Sequence, residues 1–195
     1  SGIAKGLNLD SPRGKKTRPT SDRVKEAVFS IISGRLPESR FLDVFAGTGQ
    51  IGIEALSRGA GSAVFVDSDH ESIRCIKSNL HKSGLAVNAE VFGGDVYRFM
   101  KNYVASRPFD IMYIDPPYAD AVGVFRKISQ TLTSETFLAD QGIVILEHSS
   151  ADIPDDFVTN LKLKRCCKYG TVMISFYERY DHGNECCSAR GVDIK

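Results

Sequence analysis

The chain has almost no net charge: 25 Lys and Arg stand against 24 Asp and Glu, a formal +1 over 195 residues. It lacks any apolar run near the roughly 20 residues that a bilayer-spanning helix needs, and its start shows no short apolar stretch of the secretory kind. A membrane span and a secretory route are therefore not expected, and a cytoplasmic location is. Internal repeats and low-complexity segments are also missing. Although five cysteines are present, none stands at C-x-x-C spacing; four form the adjacent pairs Cys166, Cys167 and Cys186, Cys187. The four His residues follow no ligand pattern, so no metal site is expected. Reduced thiols are the default without a secretory signal.

What is present is an ordinary globular composition, 42% hydrophobic and 25% charged, at a length suited to one domain with a sizeable core. The near-zero charge hides an asymmetry. Residues 1–35 carry eight basic residues (Lys5, Arg13, Lys15, Lys16, Arg18, Arg23, Lys25, Arg35) against Asp10, Asp22 and Glu26, a surplus of +5. The remainder carries −4. A basic arm on a mildly acidic body fits a contact with phosphates, and equally a solvated basic loop.

Residues 2–12 have the alternation and glycines of a short hairpin, and 12–19 read as a basic loop. Thr20 or Ser21 can cap a helix that places Val24, Ala27, Val28 and Ile31 on one face and stops near Gly34, ahead of Pro37. Strand and helix then alternate: strands at 41–46, 62–67, 87–92, 109–114 and 142–147, and helices at 50–58, 69–82, 95–104 and 120–132. Segments 161–168 and 172–178 are strand-like and separated by three residues, too few for a crossover, so they must pair as an antiparallel hairpin. The fold class is α/β: a seven-stranded, mostly parallel Rossmann-like sheet of methyltransferase type, helices on both faces, a C-terminal antiparallel hairpin and a small N-terminal hairpin extension. The organisation expected is a basic hairpin, loop and helix over 1–36, a catalytic domain over 37–180 and a frayed tail over 181–195.

Asp43-Val-Phe-Ala-Gly47-Thr-Gly49-Gln-Ile-Gly52 falls where the first strand turns into the first helix of this series. That is the end of a doubly wound sheet at which ligands bind. The glycines form a literal G-x-G-x-x-G, and Asp67 closes the second strand 20 residues after Gly47, spacing that also fits an NAD fingerprint. Asp43 discriminates: a pyrophosphate wants helix N–H groups and no anion nearby, whereas S-adenosylmethionine carries a sulfonium and an ammonium and no phosphate. Asp67 can accept hydrogen bonds from both ribose hydroxyls, and Asp95 from the adenine amine. Each of these acids also fits a cap or turn role.

The fourth strand ends in Asp115, Pro116, Pro117 and Tyr118. An exocyclic amine on a base is a poor nucleophile because its lone pair is delocalised into the ring. If the Asp115 carboxylate and the Pro116 carbonyl each accept one of its N–H bonds, the nitrogen can pyramidalise and aim at a sulfonium methyl. Two prolines stiffen the loop, and Tyr118 offers a stacking face for an extruded base. Turn chemistry alone is the structural alternative.

D-V-F-A-G-T-G together with D-P-P-Y resembles the amino-methyltransferases. The run from Arg18 to Glu26, the stretch from Glu54 to Gly59 and the hairpin from Tyr169 to Tyr177 resemble, more narrowly, the RsmD family. The likeness runs from about Gly2 to Arg179. It implies methyl transfer from S-adenosylmethionine to the N2 amine of a guanine, guanine 966, in bacterial 16S ribosomal RNA, free or within the small subunit, by a monomer. It also implies that Arg18, Pro19 and Thr20 close over the methionine end of the cofactor. Asp43, Phe45, Gly47 and Gly49 would line its turn, Asp67 would hold the ribose and Asp95 the adenine, and Asp115, Pro116, Pro117 and Tyr118 would form the amine site. Family members often carry Glu at the position of Asp67. Arg13, Lys15, Lys16 and Arg23 would contact the RNA. An adenine-N6 or glutamine-N5 methyltransferase, an NAD-dependent oxidoreductase and a non-catalytic RNA-binding assembly factor remain as other readings of the residues.

Neutralising Arg13, Lys15 and Lys16 together is expected to weaken RNA binding more than cofactor binding, measured by titration of each ligand. Equal losses in both would count against the basic arm as the RNA contact.

Overall fold

The computed structural model describes residues 10, 22–104, 106–116, 120–132 and 137–180. The predicted hairpin at 2–12 (Asp10 apart), the helix caps Thr20 and Ser21, and the tail at 181–195 lie outside the described residues. So do Arg13, Lys15, Lys16, Arg18, Pro19, Pro117 and Tyr118.

Helix α1 (Asp22–Ile31) leads through a short 3-10 turn to β1 (Arg40–Val44), then α2 (Gln50–Ser57), β2 (Ser62–Asp67), α3 (His70–Ser83) and β3 (Ala89–Gly93). The second half continues with α4 (Val96–Asn102), β4 (Phe109–Ile114), α5 (Ala121–Ser129), β5 (Leu138–Ser149), β6 (Phe157–Val158), β7 (Leu161–Tyr169) and β8 (Val172–Arg179). The strands form one sheet in the order β3-β2-β1-β4-β5-β8-β7-β6. β1 to β5 are parallel, and β8, β7 and β6 each run antiparallel to the strand before them in that order.

The central strands are buried on both faces, which is why the apolar residues of β1 and β4 stand on both sides of the sheet instead of alternating with polar ones. Alternate residues of each strand feed two separate cores. Phe41, Ile111, Ile143 and Ile174 meet Val24, Val28 and Phe29 of α1, Ile51 and Ile53 of α2, and Ile76 and Leu80 of α3. On the other face, Leu42, Met112 and Val144 meet Val96 and Phe99 of α4 and Phe125 and Ile128 of α5. Helices thus cover both faces as the sequence predicts. No helix among the described residues is long and apolar enough to cross a membrane.

Three expectations change. The sheet has eight strands among the described residues rather than seven, because Phe157 and Val158 pair with Lys162 and Leu161 as a two-residue edge. β5 exceeds 142–147 at both ends: Leu138 pairs with Phe109 across a register shift, and His148 and Ser149 extend the ladder to β8. On α1 the buried face is Val24, Val28 and Phe29, continued by Ile32, while Ala27 and Ile31 are only half-buried. The bulkier Phe29 wins the core position.

The strand order reverses between β1 and β4. β2 and β3 lie on one side of β1, and β5 lies beyond β4 on the other, so the loops after β1 and β4 diverge and open a crevice there. The third glycine of the turn sets how closely α2 approaches the sheet, since a Cβ on Gly52 would lie 2.3 Å from the Phe65 ring. Gly52→Ala is expected to destabilise the fold by about 1–3 kcal/mol through this overlap, read as a lowered thermal midpoint. A variant melting with the wild type would show that the contact yields without cost.

Candidate active site

The chain reverses between β1 and α2 over residues 45–49. Phe45 and the two glycines have positive φ (63° for Phe45, 56° for Gly47, 75° for Gly49). That conformation is easy for glycine, but it costs a residue with a Cβ on the order of 1–2 kcal/mol. The surroundings hold Phe45 there: the Ala46 N–H donates to the Val66 carbonyl at 3.0 Å and the Gly49 N–H to the Ala46 carbonyl at 2.7 Å. Two carboxyl groups secure the rest. The Gly47 N–H donates to Asp67 Oδ2 at 2.8 Å, the Asp69 N–H to Asp67 Oδ1 at 2.8 Å, and the Gly52 N–H to Asp43 Oδ2 at 2.8 Å.

Asp43 is 2% exposed, beneath the turn. Burial pushes its carboxyl up to about 8, the nearby Asp67 charge adding to the rise and the Gly52 N–H opposing it. At neutral pH it is largely protonated, so the negative charge that the sequence reading sets against a pyrophosphate is mostly absent from the folded chain. Asp67, half-buried at the end of β2, keeps its bonds to the turn. Asp95 is the N-cap of α4, its Oδ1 accepting the Arg98 N–H at 2.9 Å. The cap reading of Asp95 is thus the geometry found.

β4 delivers Asp115 to the same crevice. Its N–H donates to the Val44 carbonyl at 3.4 Å, joining the carboxyl ends of β1 and β4. Asp115 is half-buried and Pro116 buried. Two residues earlier, the fully buried Tyr113 donates its phenol O–H to Glu147 Oε2 of β5 at 2.5 Å. Burial, with the charges of Glu147, Asp115 and Asp43, holds that phenol well above its ordinary value, so Tyr113 is a fixed donor. Glu147 is not among the predicted residues; its signal is an acid closing an otherwise apolar strand.

Asn79 is likewise absent from the sequence reading. Fully buried on α3, it donates to the Thr48 carbonyl at 2.9 Å and to the Asp10 carbonyl at 3.1 Å, and accepts the Asp10 N–H at 2.7 Å. One amide therefore ties the glycine turn to the N-terminal segment. The Lys82 ammonium, 2.6 Å from both carboxylate oxygens, and the Ser78 hydroxyl hold the Asp10 carboxyl below its usual range. An Asn at a buried helical position one turn from Ile76 is the sequence signal. Arg23 is exposed on the first turn of α1.

Asp43 gives a pH signature. Its folded value, about 8, is above the 3.8 of a free Asp, so between those limits the folded chain holds a proton that the unfolded chain releases. The stability tied to that proton is complete below about pH 4 and is lost as pH rises to about 8. Asp43→Asn keeps an acceptor for Gly52 but does not titrate. The wild-type thermal midpoint should fall relative to the variant's from pH 5 to pH 8, and parallel curves would refute the assignment.

A family model described as "Conserved hypothetical protein 95" matches residues 1–178. "Putative rRNA methyltransferase YlbH" of Bacillus subtilis is 36% identical over 185 residues, covering 92% of this chain and 97% of the relative. "Ribosomal RNA small subunit methyltransferase D" of Escherichia coli is 29% identical over 181 residues, covering 92% and 88%. The solved structure "Putative methyltransferase yhhF from Escherichia coli" superposes with a TM-score of 0.79 at 30% identity, covering 92% of this chain and 96% of that one. With a family match over nearly its whole length and a relative above 30% identity, the chain belongs to the family of Conserved hypothetical protein 95, the RsmD family.

Proposed function

We propose that the chain transfers a methyl group from S-adenosylmethionine to the exocyclic N2 amine of a guanine, guanine 966, in the 16S ribosomal RNA of the small subunit. It does so as a cytoplasmic monomer. The observation that carries the reading is the junction of β1 and β4, where the Asp115 N–H meets the Val44 carbonyl and sets a half-buried carboxylate beside the glycine turn. Membership of a family with relatives named as ribosomal RNA methyltransferases supports it.

The residues fit such a cofactor. At Gly47 the turn leaves open space where a side chain would stand, and each Asp67 oxygen accepts one backbone N–H, leaving lone pairs for ribose hydroxyls. Arg18, Pro19 and Thr20 would close over the methionine end, and Asp95 would serve the adenine from its cap position. When bound, S-adenosylmethionine supplies an electrophilic methyl on a sulfonium. Asp115 and the Pro116 carbonyl accept the two N–H bonds of the target amine. They turn its lone pair out of the base plane, and Asp115 holds the proton that leaves as the N–C bond forms. Pro116 fixes its own backbone, so the acceptors stand in place before the base arrives. Tyr118 would stack on the base drawn from its helix, and Arg13, Lys15, Lys16 and Arg23 would hold phosphates.

The decisive experiment supplies labelled S-adenosylmethionine with naked 16S RNA, small subunits and DNA in parallel, then maps the labelled nucleoside. N2-methylguanine in 16S RNA supports the reading; label in DNA adenine, or no transfer at all, overturns it. Asp115→Ala should leave cofactor binding nearly intact while transfer falls by at least 10²-fold. Wild-type turnover in that variant would remove Asp115 from the chemistry.

A further inference from the structure

β7 carries Lys162, Lys164, Arg165 and Lys168 and no carboxylate in nine residues. The first two are occupied: the Lys162 ammonium lies 5.2 Å from the ring centroids of Phe157 and Tyr180, and that of Lys164 lies 3.9 Å from Glu178. Arg165 and Lys168 lie farther along the strand and are exposed. Among the described residues, no carboxylate comes within 4.0 Å of either.

Their end of the strand is the functional end. β8 pairs Val172 with Ser149 of β5 and Tyr169 of β7, so the hairpin turn lies on the same side of the sheet as Asp115. Only β5 and β8 separate β7 from β4, three spacings of about 4.8 Å. The hairpin therefore stands roughly 14 Å from the Asp115 strand. The Arg165 guanidinium donates to Cys167 Sγ on the α1 side, and Tyr169 packs against the core that holds Val24 and Val28. Lys168, next along the strand to Cys167, belongs by alternation to the opposite face. The two cations thus straddle the border of the sheet. Arg23, exposed on α1, adjoins Val24, a member of the core that Tyr169 packs against.

Cations gathered without carboxylates beside a crevice call for a polyanion, and the proposed substrate is one. We propose that Arg165 and Lys168 of β7, together with Arg23 of α1, form a phosphate-binding surface that holds the RNA backbone next to the nucleotide presented to Asp115. This surface rests on the ribosomal RNA reading and adds to it a contact on the carboxyl-terminal hairpin, across the crevice from the glycine turn.

The test compares the full-length wild type, Arg165→Gln/Lys168→Gln and Lys162→Gln for binding to a 16S RNA transcript over a range of salt concentrations. Cofactor affinity and thermal midpoint are measured alongside. The double variant should bind RNA several-fold more weakly and lower the slope of log K against log salt by about one to two, with cofactor affinity unchanged. Lys162→Gln, at the far end of the same strand, should keep the wild-type slope. A wild-type slope in the double variant, or an equal loss in Lys162→Gln, overturns the hairpin contact while leaving the methyltransferase reading intact. If the wild type forms no salt-sensitive complex and methylates neither the transcript nor small subunits, the reading itself falls and the hairpin contact falls with it.

Discussion

Two carboxyl groups beneath a chain reversal hold the site together. A turn over residues 45–49 leaves backbone N–H groups facing the sheet with no ladder to join, and each one buried without an acceptor costs about 1–3 kcal/mol. Asp67 takes that of Gly47 and, beyond β2, that of Asp69, while Asp43 takes that of Gly52 in the first turn of α2. Without these acceptors α2 would have no defined start against β2. The gap between the ends of β1 and β4 would lose one wall. Phe45 shows how firmly the loop is held, since a residue with a Cβ keeps a left-handed conformation there.

The two faces of the sheet do different work. The face under α4 and α5 is mostly apolar and aromatic, with Phe99, Tyr103, Phe109 and Phe137 in successive ring contacts and the buried Arg40 over Phe109. The face under α1, α2 and α3 carries the buried polar groups that matter to the crevice: Asp43, Asn79 and Tyr113, the last bonded to the half-buried Glu147. Buried polar groups are stable only when bonded, and each of these is bonded to a specific partner. Polarity on this face therefore fixes the geometry of the crevice.

Much of this was legible in the sequence. Short apolar strands between amphipathic helices fix the parallel core, and the three residues between β7 and β8 leave only a hairpin. Both follow from local pattern and chain length. The extension of β5 back to Leu138 was not legible, because Asp140 and Gln141 interrupt the apolar run and Leu138 rejoins the sheet only through Phe109 of β4, across a register shift. β6 is two residues long, below what a periodicity can register. At the site, the G-x-G-x-x-G spacing and Asp115 were readable as motifs. The protonation of Asp43 was not, since it follows from three-dimensional burial, nor were Asn79 and Glu147, whose meaning lies in partners 31 and 34 residues away.

β7 has one more property. Among the described residues, β6 covers it only at Leu161 and Lys162, so the outer edge from Leu163 to Tyr169 carries no further strand. A long open edge invites another chain to add a strand, and proteins limit this with charge and with bulges. β7 has both: a register shift between Leu163 and Arg165, and cations at Lys164, Arg165 and Lys168. Two copies meeting edge to edge would bring like charges together along that strand. The charge that disfavours pairing with a second copy of this strand is the same charge that would suit the proposed contact with an anionic partner.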